Sequence, residues 1–326
     1  MTDTATSTKV RVETPARLHF GFLDLSGASG RLYGGVGVGI DKPRAVFEAE
    51  PAPTVDVVGA DDETDYFERL VSEAVDTLGV EGARVEVVES LPRHVGLGSG
   101  TQHASAVLEA VARVNSFEDI NSVAATREHV RSLGRGVRSG VGRAVFESGG
   151  FVVDAGHEAE TPPEERVVPR VAVRQDLPSD WRFVVAVPEG RGAHGEDEER
   201  SMRRVVGDDE EVARRVREKF VAHVLPGAAE GDISSFGAGI KEFDRLNGVW
   251  YAGSGEQDDI YNQASAGVVE CLQNDERVAG AGQSSWGPSV YALTTRENAE
   301  EVAESVDTRT FVAAPDNTGA RLSLLP

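Results

Sequence analysis

The sequence predicts a two-domain globular protein of mixed helix and strand, either α+β or α/β. Three observations carry this. The chain has 326 residues, enough for two hydrophobic cores of ordinary size. Apolar residues make up 40% of it, and 36 glycines accompany them, a composition of folded rather than disordered chains. Segments with period-two alternation are interleaved along the whole length with segments of helical period.

Composition also narrows the function. Asp and Glu number 55 against 33 Lys and Arg, a net charge of −22, so a basic nucleic-acid-binding face has no support. The acids are spread along the chain and only four cations are lysines, which is the balance expected of a protein from a salt-accumulating organism. No apolar run approaches a membrane span. The first eight residues are polar and read as a frayed tail without the apolar core of a signal peptide. A single cysteine, Cys271, excludes an internal disulfide and argues for a cytoplasmic protein.

From the N-terminus, Lys9 to Glu13 alternates as a strand and leads into Thr14-Pro-Ala-Arg-Leu-His-Phe-Gly-Phe-Leu-Asp-Leu25. Arg17, His19 and Gly21, two apart, would share one strand face, and with Asp24 they form a compact polar set in an apolar segment. Arg31 to Asp41 alternates Val and Ile with glycine, which suits a strand approached closely by another backbone or a ligand. Arg44 to Glu50 reads as a further strand and Asp61 to Glu63 as an acidic turn. Tyr66, Phe67, Leu70, Val71, Ala74, Val75 and Leu78 then trace the core face of an amphipathic helix.

The chain is organised around the next stretch. The alternating strand Ala83 to Glu89 is followed by Leu91-Pro-Arg-His-Val-Gly-Leu-Gly-Ser-Gly-Thr-Gln102 and a helix with Ala104, Val107, Leu108 and Val111 on one face. Gly96, Gly98 and Gly100 let backbone approach a ligand closely, and unpaired N–H groups at the helix start favour an anion. The segment Gly96, Leu97, Gly98, Ser99, Gly100, Thr101 and Gln102 is therefore a candidate phosphate or pyrophosphate site. The Ser99 hydroxyl is a candidate ligand for a phosphate-bound Mg²⁺. The plain alternative is a glycine turn that only caps a helix.

After a connection at residues 115–119, a helix is expected over about 120–133. Gly134 to Asp154 interleaves Arg135, Arg138 and Arg143 with glycines, and guanidinium groups bind phosphate or carboxylate bidentately. Arg138 is the strongest candidate of the three. Glu158 to Arg166 is a charged, proline-bearing surface loop, and beyond it the chain divides into domains spanning 1–175 and 176–326. Trp181 to Val187 reads as a buried strand, and Pro188 to Glu199 as a glycine and acid loop in which His194 could meet a substrate. Helices are expected over about 209–224, 232–246 and 258–273, then a glycine-serine turn feeding a strand from Ala279 to Leu293. A helix from Glu297 to Val306 and a strand from Thr310 to Ala314 follow.

Three of these segments together resemble the GHMP small-molecule kinase superfamily. Pro92-x-x-x-Gly96-Leu-Gly-Ser99 looks like its phosphate loop, Thr14-Pro-Ala-Arg-Leu is similar to its first motif, and the turn near Gly280 to Gly287 falls where its third motif does. The resemblance covers most of the chain. It implies an α+β fold with an N-terminal domain like the second domain of ribosomal protein S5 and a ferredoxin-like C-terminal domain, with substrates between them. Two departures stand out. Where superfamily kinases carry Ser-Gly-aliphatic-Asp, this chain has Ser139-Gly-Val-Gly142, so the acid that orients or deprotonates the accepting hydroxyl is missing. Where kinases have a glycine run against the triphosphate, this chain reads Gly282-Gln-Ser-Ser-Trp-Gly-Pro-Ser289, and Trp286 would crowd it.

These departures resemble one branch, the beta-ribofuranosylaminobenzene 5′-phosphate synthase family, through Arg17-Leu-His-Phe-Gly-Phe-Leu-Asp24, Gly96-Leu-Gly-Ser-Gly-Thr-Gln102, Arg138-Ser-Gly-Val-Gly142 with Phe146-Glu-Ser-Gly-Gly-Phe151, and Ser284-Ser-Trp-Gly-Pro288. That family condenses phosphoribosyl pyrophosphate with a para-substituted benzoate, releasing CO₂ and pyrophosphate, on the way to a methanopterin-type cofactor. The resemblance implies that Gly96 to Thr101 hold pyrophosphate with Mg²⁺ and that Arg17 or Arg138 binds the carboxylate or the 5′-phosphate. It further implies that Asp24 contacts metal or ribose, that His19 positions substrate, and that Ser139, Ser284, Ser285 and His194 line the substrate site of a homodimer. The acceptor is left open between an amino- and a hydroxybenzoate. A small-molecule kinase of the same fold and a non-catalytic ligand-binding homologue are the competing readings, separated from the first by ATP turnover and by absence of any product.

Overall fold

A computed structural model of the chain describes residues 9–115, 131, 133–134, 136–190, 210–252 and 259–325. Two sheets organise it. The larger has eight strands, built on the path Arg321–Leu325, Lys9–Asp24, Arg31–Pro51, Ala83–Glu89 and Val55–Val58, with three further strands off it. In chain order its strands are β1 (Lys9–Asp24), β2 (Arg31–Pro51), β3 (Val55–Val58), β4 (Ala83–Glu89), β5 (Phe151–Asp154), β6 (His157–Glu158) and β7 (Val171–Gln175). The smaller sheet contains β8 (Trp181–Ala186), β9 (Gly280–Gln283), β10 (Val290–Thr295) and β11 (Thr310–Ala313), and β12 (Arg321–Leu325) returns to the first.

The four strands of the small sheet lie in the order β11-β8-β10-β9, all antiparallel. That order, with helices in the connections, is the ferredoxin-like arrangement. The helices are α1 (Thr64–Leu78), α2 (Ser99–Val114), α3 (Val141–Ser148), α4 (Glu210–Lys219), α5 (Leu225–Glu230), α6 (Ile233–Ala252), α7 (Gln263–Gln273) and α8 (Ala299–Glu304). A π-helical turn, Phe220–Val224, joins α4 to α5. Among the described residues no helix is long and apolar enough to cross a membrane.

Two sequence expectations change, and a third lies mostly outside the described residues. The segments from Arg31 to Asp41 and Arg44 to Glu50 are one continuous strand, β2, because both pair with the long β1. β12 pairs with β1, so the first sheet is not confined to residues 1–175. Its exposed Leu322 and Leu324 give no period-two burial signal to read. The helix expected over 120–133 falls mainly outside the described residues.

The glycines of β2 behave as expected. A side chain at Gly37 would lie 2.9 Å from Val141, and one at Gly39 3.1 Å from Val145, so their absence lets α3 sit directly on the strand. The two halves of the molecule share one core. Phe20 of β1 packs against Phe183 of β8, Phe236 of α6 and Tyr291 of β10, at ring-centroid distances of 6.4, 6.2 and 4.9 Å. The face of β1 that carries Phe20 is therefore buried by the second sheet, and the functional residues beside it lie at the junction.

Candidate active site

The phosphate loop connects β4 to α2. Gly96 and Gly98 have φ of +89° and +76°, a conformation that L side chains rarely adopt. Gly98 caps α2, and its carbonyl accepts from Thr101 N–H and Gln102 N–H at 3.1 Å each. No side chain caps this helix and no acidic residue stands in its first turn. The N–H groups of Ser99 and Gly100 and the positive end of the dipole thus stand without a competing carboxylate on their own turn, as an anion would need.

Arg17 lies along this loop. Its N–H donates to Leu97 O at 3.1 Å, its Nη1 donates to Gly96 O at 3.3 Å, and its Cγ would be 3.0 Å from a side chain on Gly98. The charge is held against the backbone of the glycine loop. Leu97 itself is 1% exposed, so its side chain serves the core rather than a ligand.

His19, two residues along β1, is buried, and its ring leans on Phe22 with centroids 4.9 Å apart. Its Nε2 lies 3.2 Å from Ser139 Oγ, and that hydroxyl donates to Asp154 Oδ2 at 3.1 Å. Burial first, then the charges of Arg17 and Arg138, hold the imidazole well below its usual pKa, so it is neutral. Arg17, His19, Arg138 and Ser139 are therefore brought together as the sequence suggested. The shared face predicted for Arg17, His19 and Gly21 ends at His19, because a bulge between His19 and Gly21 shifts the register with β2.

Asp154 was not among the residues singled out, although Phe-Val-Val-Asp ending an apolar strand is a legible signal. It is fully buried and accepts from Gly140 N–H at 2.7 Å and Gly156 N–H at 2.9 Å. Burial pushes its pKa up to about 6, against the hydrogen bonds from the Gly156, Gly140 and Gly35 N–H groups and Ser139.

The turn from Ser284 to Ser289 docks onto both elements. Ser284 Oγ donates to Gly96 O at 2.7 Å and accepts from His19 N–H at 3.0 Å, while Ser285 N–H donates to His19 O at 2.9 Å. Ser284 is wholly buried with these partners, so it latches the site together and does not reach into it. Trp286 is 5% exposed and packs against Tyr251 with centroids 4.4 Å apart and the rings tilted by 33°, a bulky pair where kinases are expected to have glycines. The place of the missing kinase acid is closed as well. A side chain on Gly142 would lie 3.0 Å from Thr101 Cγ2, and Gly142 O accepts from Gln102 Nε2 at 2.8 Å.

Two more expected roles change, after those of Leu97 and Ser284. Gln102 is fully buried, its other amide end accepting from the Thr14 hydroxyl, so its side chain ties β1 to α3 and is not available to a phosphate. Asp24 is saturated. Its Oδ1 accepts from Ser26 N–H at 2.8 Å, Ser26 Oγ at 2.7 Å and Gly27 N–H at 2.9 Å, and its Oδ2 from Ser29 Oγ at 2.6 Å and from Arg217 Nη1. Burial alone would raise its pKa, but the bonds from Ser29, Ser26 and Gly27 outweigh it and hold it below the usual value. No lone pair remains for a metal or ribose, and the carboxylate instead joins β1 to α4. Among the described residues no group of three His, Cys, Asp or Glu could hold a metal ion. Arg143 pairs with Glu147 of its own helix at 2.7 Å. His194 and Arg135 lie outside the described residues.

Residues 65–150 match the GHMP kinases N terminal domain and residues 224–313 the GHMP kinases C terminal model. The Archaeoglobus fulgidus beta-ribofuranosylphenol 5′-phosphate synthase is 30% identical over 332 residues, covering 97% of this chain and 100% of that one. The chain belongs to the beta-ribofuranosylphenol 5′-phosphate synthase family. The Methanothermobacter thermautotrophicus protein of the same name is also 30% identical, over 87% of this chain and 88% of its own. Homoserine kinase from Cytophaga hutchinsonii superposes with a TM-score of 0.67 over 99% of this chain and 100% of its own, at 15% identity, a likeness of fold. Membership of the synthase family accounts for a kinase fold in which Gly142 packs against Thr101 where an acid would stand.

Proposed function

We propose that this chain is a transferase that joins C1 of phosphoribosyl pyrophosphate to the carboxylate-bearing ring carbon of para-hydroxybenzoate. The observation that carries the reading is an uncapped helix N-terminus with Arg17 laid along its glycine loop, on a fold from which the kinase acid is gone. The phenol in the name of the curated relatives supports the hydroxy- over the aminobenzoate.

In this reading the C1–O bond breaks and its electron pair leaves with pyrophosphate, held by the Ser99 and Gly100 N–H groups, the helix dipole and Arg17. The ring carbon that bears the carboxylate then bonds to C1. Its bond to the carboxylate breaks, CO₂ departs, and the electron pair returns to the ring. A strong base is not required, which agrees with Gly142. Arg138, whose charge reaches His19, binds the benzoate carboxylate or the 5′-phosphate. The Mg²⁺ implied by the family finds no resident carboxylate site among the described residues, since Asp24 is saturated. Such an ion would travel with the diphosphate, and no step is assigned to it. The lone Cys271 supports a cytoplasmic location.

The test is to supply phosphoribosyl pyrophosphate and para-hydroxybenzoate in high-salt buffer with Mg²⁺ and to follow pyrophosphate and CO₂ together. Equal release of the two is expected. Neither product, with ATP consumed on an added small alcohol, would return the chain to the kinases.

A further inference from the structure

His19 carries an atom that nothing among the described residues satisfies. Its Nδ1 is shielded from solvent and makes no hydrogen bond, while Nε2 is engaged by Ser139. An unsatisfied polar atom in such a place costs about 1–3 kcal/mol, which a ligand hydroxyl can offset. The state of that nitrogen follows from the partners behind it. An ionised Asp154 accepts and cannot donate, and its Oδ2 already takes Gly140 N–H at 2.7 Å and the Ser139 hydroxyl at 3.1 Å. Ser139 has one proton, so its oxygen is left to accept, from Val141 N–H at 3.3 Å and from His19 Nε2 at 3.2 Å. The imidazole proton must then sit on Nε2, and Nδ1 keeps a bare lone pair. Gly35 is part of this construction, because a side chain there would lie 2.7 Å from Asp154 Oδ2 and run into Ser139.

We infer that Asp154 and Ser139 are positioning residues that lock His19 in the Nε2–H tautomer, so that Nδ1 accepts the phenolic hydroxyl of the aromatic substrate and takes its proton while the para carbon attacks. This rests on the transferase reading above. As the ring carbon bonds to C1, the O–H bond breaks, its proton passes to Nδ1, and the ring becomes a dienone. As CO₂ leaves, the pair from the broken C–C bond restores the aromatic ring, and the proton returns to oxygen. Nothing is gained or lost beyond pyrophosphate and CO₂. Burial and the charges of Arg17 and Arg138 make His19 a weak holder of that proton, which suits a loan returned as the ring regains aromaticity. A ribose hydroxyl meeting the same lone pair would exchange no proton during the reaction.

The first measurement needs no substrate. Two-bond ¹⁵N–¹H NMR of the full chain should show the His19 Nε2–H tautomer, and Ser139→Ala should let it mix with the other; an Nδ1–H tautomer in the native chain overturns the inference. The second compares acceptors. Ser139→Ala and His19→Phe should lower kcat with para-hydroxybenzoate by about 10²–10⁴-fold for His19→Phe and less for Ser139→Ala. Para-aminobenzoate should lose less, and KM for phosphoribosyl pyrophosphate should stay within about threefold. Equal losses with both acceptors would move the lone pair to a ribose hydroxyl and refute the phenolic assignment. If the native chain turns over neither acceptor, the transferase reading fails while the tautomer result stands by itself.

Discussion

Ser284→Ala isolates one hydroxyl that joins three parts of the molecule. Its Oγ donates to Gly96 O at 2.7 Å and accepts from His19 N–H at 3.0 Å, and the residue is fully buried. The substitution removes a single oxygen and leaves His19 N–H without a partner in a place water does not reach. Gly96 O keeps only the longer contact from Arg17 Nη1 at 3.3 Å. An orphaned buried donor costs about 1–3 kcal/mol and the second lost bond about 1 kcal/mol, so destabilisation of about 2–4 kcal/mol is expected. Gly96 opens the phosphate loop and His19 carries the imidazole, so kcat/KM for phosphoribosyl pyrophosphate should fall by about tenfold or more even where the chain is fully folded. Denaturant unfolding and initial pyrophosphate-release rates read the two effects separately. A stability change under about 0.5 kcal/mol with unchanged kcat/KM would show that the third motif does not hold the loop to the strand.

Other outcomes follow from the same geometry. Asp154, with its pKa raised to about 6, acts in the ionised form, so kcat/KM should rise as pH climbs through about 6 and that limb should vanish in Asp154→Asn; a limb that persists in the variant assigns it to another group. Gly142→Asp should give no ATP-dependent phosphoryl transfer and should cost about 1–3 kcal/mol, because its Cβ meets Thr101 at 3.0 Å; a gain of kinase activity would show the acid to be the only part missing. Asp24→Asn should lower the melting temperature through its tie to Arg217 and leave the Mg²⁺ titration midpoint unchanged, whereas a raised midpoint would restore Asp24 as a metal ligand. With a net charge of −22, stability should climb with salt from dilute to molar KCl, and a flat response would remove the halophilic expectation.

The glycine loop that opens α2 was legible because its signal is local: glycines, hydroxyls and a helix start adjacent in the chain need no tertiary contact to be recognised. Arg17, His19 and Arg138 were legible as polar residues in apolar or glycine-rich settings. What escaped was decided by partners distant in sequence. Asp24 has the look of a metal ligand until Ser26, Gly27, Ser29 and, from 193 positions away, Arg217 take up its oxygens. Gln102 sits inside the loop motif, but one helical turn of rotation carries it into the core, between Thr14 and Gly142. Asp154 ends an apolar strand, and its importance appears only when Ser139 and His19 are seen in line with it. The bulge after His19 has no marker except Gly21, whose φ of +133° and contact with Asn247 exclude a side chain.

That contact shows how the two halves of the molecule make one site. Along β1 the second domain grips the backbone at short intervals. Ser284 and Ser285 hold the N–H and carbonyl of His19, and Asn247 holds the N–H of Phe22 at 2.7 Å and its carbonyl at 3.2 Å. Arg217 then holds the carboxylate of Asp24. This part of β1 lies beyond the reach of β12, with β2 on one side only, and its open edge is fixed from the other domain on three footholds, with Phe20 locked into the shared core between them. Any change in the angle between the domains must drag His19 against Ser139 and Gly96 against Ser284. The imidazole and the pyrophosphate loop therefore keep their separation without a ligand to bring them together. For a reaction whose electrophile is short-lived and captured equally well by water, a site assembled before the C1–O bond breaks is what the chemistry requires.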